Sequence, residues 1–95
     1  MAQSIADIEI TTTWQSINTL AGIAVGTAFE LINKSNRELL VWKGTAPVVG
    51  STDGMPVSSF PNEYCNVIFE SGELEVWCRV HVDDSGPAKV HVQTT

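Results

Sequence analysis

Few side chains in this sequence are of the types and spacings that do chemistry. Cys65 and Cys78 are the only two thiols. Brought together they would make a redox switch or half of a thiolate metal site. No further Cys exists to complete a zinc set, so the expected role is that of small apolar core residues. His81 and His91 share a strand period with Arg79 and Lys89. A metal pair or a pH switch near the usual histidine pKa of about 6.5 is conceivable there. Metal sites need a third ligand and supporting partners, and interleaved cations repel a metal, so a solvated or interfacial strand face is expected instead. Asp53-Gly54 and Asp83-Asp84-Ser85-Gly86 look like fragments of calcium loops but lack the spaced acidic pattern and closing Glu. They read as turns. Asn33-Lys34-Ser35 fits a glycosylation acceptor, which has no use without secretion. No Ser/His/Asp arrangement, Gly-rich phosphate loop or apolar carboxylate pair stands out. The expectation is a binding or structural protein rather than an enzyme, with no cofactor and no metal.

Composition narrows the partners. The 95 residues suit one domain, and their 43 % apolar and 17 % charged fractions are those of a folded globule. Five basic residues against eleven acidic give a net charge of −6. Lys34 and Arg37 flank a turn and the other three are scattered, so neither nucleic-acid phosphates nor an anionic membrane is an expected partner. The start, MAQSIADIEI, has no basic region and carries Asp7 and Glu9, which argues against a signal peptide. Synthesis in a reducing cytoplasm is expected, with both cysteines as thiols.

The elements that must position these residues are mostly strands. Residues 1–13 read as an extended arm, with Ile5, Ile8 and Ile10 among polar neighbours, and 14–95 as a single domain. The stretch from Trp14 to Val25 could hold one short helical turn, with Ser16 as a possible N-cap and Gly22 and Gly26 limiting it. Two apolar runs, Ala28–Asn33 and Glu38–Lys43, flank a four-residue turn. Read as a hairpin, they oppose Leu31 to Leu40 and Phe29 to Trp42, and both faces are apolar enough for a central or covered position. Ala46–Gly54 is a loop, and Met55–Phe60 a short edge strand because Pro56 cannot donate to a ladder.

From Tyr64 onward the alternation is strong. A Ser71-Gly72 turn predicts a tight hairpin that opposes Phe69 to Leu74, Val67 to Val76 and Cys65 to Cys78. The loop 83–87 predicts a second hairpin, with Val82 opposite Ala88 and Val80 opposite Val90. Side chains alternate across a sheet, so Cys65, Val67, Phe69, Leu74, Val76, Cys78, Val80, Val82, Ala88, Val90 and Val92 form a core face. Tyr64, Asn66, Ile68, Glu75, Trp77, Arg79, His81, Lys89, His91 and Gln93 face the other way. The expected fold is all-β: a small antiparallel β-sandwich or barrel of about seven strands with an extended N-terminal arm.

Trp77, Ile68 and Tyr64 on the polar face invite three readings. They could be interface anchors, since Trp, Tyr and Arg are enriched at hot spots. They could lie under internal cover from the arm or the 46–60 loop, or the indole could stack on a sugar. Trp42 joins Trp77, Tyr64 and Ile68 as an interface candidate, and Ile5, Ile8 and Ile10 as the docking residues of the arm.

Trp14-Gln15-Ser16-Ile17, the run from Leu20 to Thr27, Leu31 to Ser35, Ser51-Thr52-Asp53-Gly54, Glu73 to Trp77 and Val90-His91-Val92-Gln93 together resemble small virion proteins of tailed bacteriophages. These are structural, capsid-decorating or fibre-associated, and the likeness spans most of residues 12–94. It implies a β-sandwich module, generally homo-oligomeric, mounted on the capsid, neck or tail and located in the virion. Itself and other virion proteins are the partners so implied, and a host glycan is the partner that the sugar-stacking reading adds. Two alternatives from other classes are a carbohydrate-binding host-recognition module and a monomeric cytoplasmic inhibitor-type binding protein.

Overall fold

The computed structural model describes residues 5–59, 65–81 and 87–94. Eight strands and one short helix follow in chain order: β1 (Ile8–Ile10), β2 (Gln15–Ser16), α1 (Ile17–Ala21), β3 (Phe29–Asn33), β4 (Leu39–Lys43), β5 (Met55–Val57), β6 (Asn66–Phe69), β7 (Val76–Val80) and β8 (Ala88–Thr94). They form two four-stranded antiparallel sheets, ordered β1-β8-β3-β6 and β2-β7-β4-β5. The protein is a small β-sandwich.

Period-2 alternation fills its centre. Phe29 and Leu31 on β3, Leu39 and Val41 on β4, Val76, Cys78 and Val80 on β7, and Val90 and Val92 on β8 all turn inward and are buried. The Phe29 and Phe69 rings meet across the β3–β6 pair with centroids 4.9 Å apart at a 31° tilt. Each such buried aliphatic or aromatic side chain contributes roughly 1.5–3 kcal/mol by leaving water.

Within the described strands the inward and outward sets follow the alternation, with Leu74 outside them the exception, but the three expected hairpins are absent. β3 pairs with β6 and β8, whereas β4 pairs with β5 and β7, so the 34–38 turn carries the chain from one sheet to the other. Leu31 lies opposite Val67 and Val92, not Leu40, and Trp42 lies opposite Trp77, not Phe29. Both strands are nonetheless interior to their sheets. Asn33 builds this crossover. Its fully buried amide donates to the carbonyls of Arg37 (2.6 Å) and Ser58 (3.1 Å), and its oxygen accepts from the Ser35 N–H (3.0 Å) and hydroxyl (2.7 Å). An Asx-centred turn of this kind needs no strand pairing beyond it.

The Ser71-Gly72 segment is also a crossover. Gly72 N–H bonds the Gly26 carbonyl at 2.9 Å, the Gly44 N–H bonds the Glu75 carbonyl at 2.9 Å, and Leu74 is 63 % exposed rather than facing the core. Phe69 therefore opposes Phe29, Val67 opposes Leu31, and Val76 opposes Lys43. Cys65 and Cys78 belong to opposite sides of the sandwich. β7 and β8 likewise fall in different sheets, so Val80 opposes Leu39 and Val90 opposes Ile8. Val82 and residues 83–86, on which the second hairpin rested, lie outside the described residues.

α1 is one short turn, as expected. Ser16 Oγ accepts the Thr19 N–H, and Gly22 ends the helix in the left-handed conformation (φ 71°) that glycine adopts without strain. The 1–13 segment differs from a free arm in its described part. Ile8–Ile10 is an edge strand on β8, and Ile10 is fully buried in the domain's own core. Ile5 and Ile8 pack against that core. Asp7 fastens the segment by accepting from Lys34 Nζ at 2.6 Å and pairing with His91 Nδ1 at 3.1 Å.

Candidate functional site

The outward face of the β2-β7-β4-β5 sheet carries two cross-strand pairs, Leu40 with Arg79 and Trp42 with Trp77. It is not open to solvent. Leu40 is 3 % and Arg79 1 % exposed. Trp14 and the loop between β4 and β5 roof them, and donors from the sheet and from Trp14 itself hold the loop by its carbonyls. Trp77 Nε1 donates to Gly44 O (2.9 Å), Trp42 Nε1 to Thr45 O (3.1 Å), and both Trp14 Nε1 (2.9 Å) and Arg79 Nη1 (3.1 Å) to Ser51 O. Arg79 also donates from Nε to Val80 O and from Nη2 to His81 O. A buried guanidinium satisfied by carbonyls is a structural pin. Between roof and sheet remains a pocket of about 480 Å³ lined by Thr12, Thr13, Trp14, Ala46, Pro47, Val49, Gly50, Trp77 and Arg79.

A second hollow lies at one side of the sandwich, where β6 ends one sheet and β5 the other. It has a volume of about 400 Å³ and is lined by Val41, Trp42, Lys43, Gly54, Met55, Val67, Ile68 and Phe69. β5 pairs with β4 only as far as Val41, and among the described residues no strand pairs with Trp42 and Lys43 on that side. Ile68 is 62 % and Met55 46 % exposed. Leu74, on the crossover beyond, approaches Gly44 beside the Trp42 indole nitrogen. This is a grouped apolar surface on a small domain, the kind that marks association.

The thiols and histidines do not converge. Cys78 is buried in the core, and burial pushes its thiol far above the ordinary value, while Cys65 is half-buried. Arg79 stands on β7 with His81 just beyond its end, whereas Lys89 and His91 stand on β8 in the other sheet, so the strand face expected to carry all four is divided between the two sheets. His81 pairs with Glu38, and His91 with Asp7. Asp7 is held below the usual carboxyl range by the hydrogen bonds from Lys34 and then His91. Among the described residues, no group of three or more His, Cys, Asp or Glu is placed to hold a metal ion. No helix among them is long and apolar enough to cross a membrane.

Of the interface residues expected from sequence, Trp42 and Ile68 line one groove. Trp77 is the cross-strand neighbour of Trp42 but is half-buried beneath the loop. Ile5, Ile8 and Ile10 gather at the β1 edge, the far side of that sheet from β6, and Ile10 is core. Tyr64 lies outside the described residues. Met55, Leu74 and Trp14 were not anticipated. Met55 precedes a proline in a strand that is too short to hide it, and the Ser71-Gly72 hairpin that would turn Leu74 inward does not form. Trp14 carried only its position before a helix cap. No protein-family model, curated protein or solved structure matches this chain.

Proposed function

We propose that this chain is a structural module of a tailed-phage virion, a non-catalytic β-sandwich that assembles with copies of itself. The observation that carries the reading is the exposure of Met55 and Ile68 along one groove beside the half-buried Trp42, with the exposed Leu74 on the neighbouring crossover. Apolar surface of this sort on a small sandwich is stabilised by being covered, and a repeated neighbour in a particle covers it many times over. The sequence resemblance supplies the virion setting. Mass spectrometry of particles produced by the encoding genome tests it: many copies per particle are expected, and absence from the particles overturns it.

A second reading rests on the roofed pocket. Two indoles, two threonines and a guanidinium around about 480 Å³ suit a sugar ring stacked on Trp77 or Trp14, as in a host-recognition module. Saturable change of tryptophan fluorescence on titration with host-surface glycans supports this reading, and its absence across a glycan array removes it.

A further inference from the structure

We infer that two copies of this chain join edge to edge through β6, antiparallel across a twofold axis that runs between the two copies of Ile68. The inference rests on the self-assembly reading above and specifies its contact.

A β-sandwich has four strand edges, and exposed edges are ordinarily blunted against pairing by shortness, charge or proline. Here three are blunted. β1 is three residues long with Glu9 at its middle, β2 has two residues, and β5 has three with Pro56 at its centre. The fourth, β6, is Asn66-Val67-Ile68-Phe69, with no charge, no proline and no bulge, and among the described residues no strand lies on its outer side. Its backbone groups face the right way. The Asn33 N–H bonds Cys65 O at 2.8 Å, so ladder alternation turns Cys65, Val67 and Phe69 toward β3 and leaves the N–H and C=O of Asn66 and Ile68 pointing outward.

The sequence of the strand selects a second copy of itself as the occupant. In antiparallel pairing about a twofold axis, opposed residues share a face, so the axis runs between the two copies of one residue, which oppose each other directly, and not between two successive positions. Centred on Ile68, the pair exchanges both Ile68 N–H···O=C bonds, sets Val67 against Phe69 on the inward side, and places Asn66 opposite Glu70, amide against carboxylate. Centred on Val67, it would set Asn66 against Ile68 and leave Val67 in a pair without hydrogen bonds. Only the first register matches apolar with apolar and polar with polar. Despite the net charge of −6, no like charges oppose each other along it. The copy also covers the groove bordered by Trp42 and Met55, because β5 and β6 end the two sheets on the same side.

The test uses the full chain with Cys65→Ser to remove the half-buried thiol. Directly opposed residues of a hydrogen-bonded pair have Cα atoms about 5.5 Å apart, within disulfide reach. Ile68→Cys is therefore expected to give a covalent dimer on mild oxidation. Asn66→Cys, whose two copies lie four positions out of register and about 13 Å apart, is expected to stay uncoupled. Light scattering on the unaltered chain is expected to give twice the 10.3 kDa chain mass, and on Ile68→Lys the single mass with an unchanged β circular dichroism spectrum. An assembled chain that ignores Ile68→Lys, or that couples through Asn66→Cys as readily as through Ile68→Cys, overturns the β6 contact and leaves self-assembly standing. A chain that is monomeric at tens of micromolar overturns both. A β6-paired dimer that is absent from particles removes the virion setting alone.

Discussion

The Trp14 indole and the Arg79 guanidinium converge on one acceptor, the carbonyl of Ser51, at 2.9 and 3.1 Å. One donor comes from the chain just before β2 and the other from β7, so a single peptide group ties the β4–β5 loop down from two sides. Trp14→Phe keeps the ring and removes one donor. The expected cost is about 0.5–1.5 kcal/mol, the net worth of a hydrogen bond. Urea unfolding measures it, and limited proteolysis should cut the 46–50 loop sooner.

Asn33→Ala should be among the most damaging polar substitutions. It removes four hydrogen bonds at a fully buried position and leaves the carbonyls of Arg37 and Ser58 without this donor. A loss of about 2–3 kcal/mol is expected, read as a lower urea midpoint with an unchanged slope. Asn33→Asp retains the acceptor for Ser35 but loses both donated bonds, and it too should destabilise.

Gly54 stands at φ 127°, and a Cβ there would come within 2.7 Å of the Val41 carbonyl oxygen. Backbone, not a flexible side chain, receives the clash. Gly54→Ala should cost about 1–3 kcal/mol and disturb the β4–β5 pair, which thermal unfolding and amide exchange at Val57 would report.

Acid should loosen the β1 edge first. Folding lowers the Asp7 pKa from its ordinary 3.8 through Lys34 and then His91, so the folded state favours the ionised carboxylate. The resulting stability is complete above the unfolded value and fades as pH falls through the lower folded one. The gap in melting temperature between the unaltered chain and Asp7→Asn is expected to be widest near neutrality, to close below about pH 4, and to shrink with added salt.

The two thiols should behave unequally. Cys78 is enclosed and its thiol is pushed far up by burial, whereas Cys65 is half-buried. A thiol reagent at pH 8 is expected to modify one site in the native protein and two in denaturant. An oxidant should form no Cys65–Cys78 bond, since facing sheets stand about 10 Å apart and a disulfide needs less than about 7 Å between Cα atoms.

What the sequence makes legible is which way each strand residue points, because alternation depends only on the strand itself. Val76, Cys78, Val80, Val90 and Val92 turn inward whichever strand lies beside them. Pairing is another matter. A turn that folds a strand back beside its predecessor and one that carries it across to the opposite sheet both keep the inward set inward, and both use Gly, Ser and Asn. Ser71-Gly72 gave no means of choosing between them. The outcome is decided by contacts distant in sequence, such as Gly72 with Gly26. For the same reason Ile68 could be read as outward-facing from its parity, while the burial of Arg79 under Ser51 could not. Ser16 was legible as a cap because that interaction is local.

The placement of β8 inside its sheet has a consequence for how the protein comes to exist. Ile8 is made early and waits for Val90, its register partner near the other end of the described chain. Until 88–94 has emerged from the ribosome, β1 has no ladder partner and β3 is paired on its β6 side alone. Biogenesis is thus all or nothing, and a nascent chain interrupted before residue 88 is a template for aggregation rather than a partial domain.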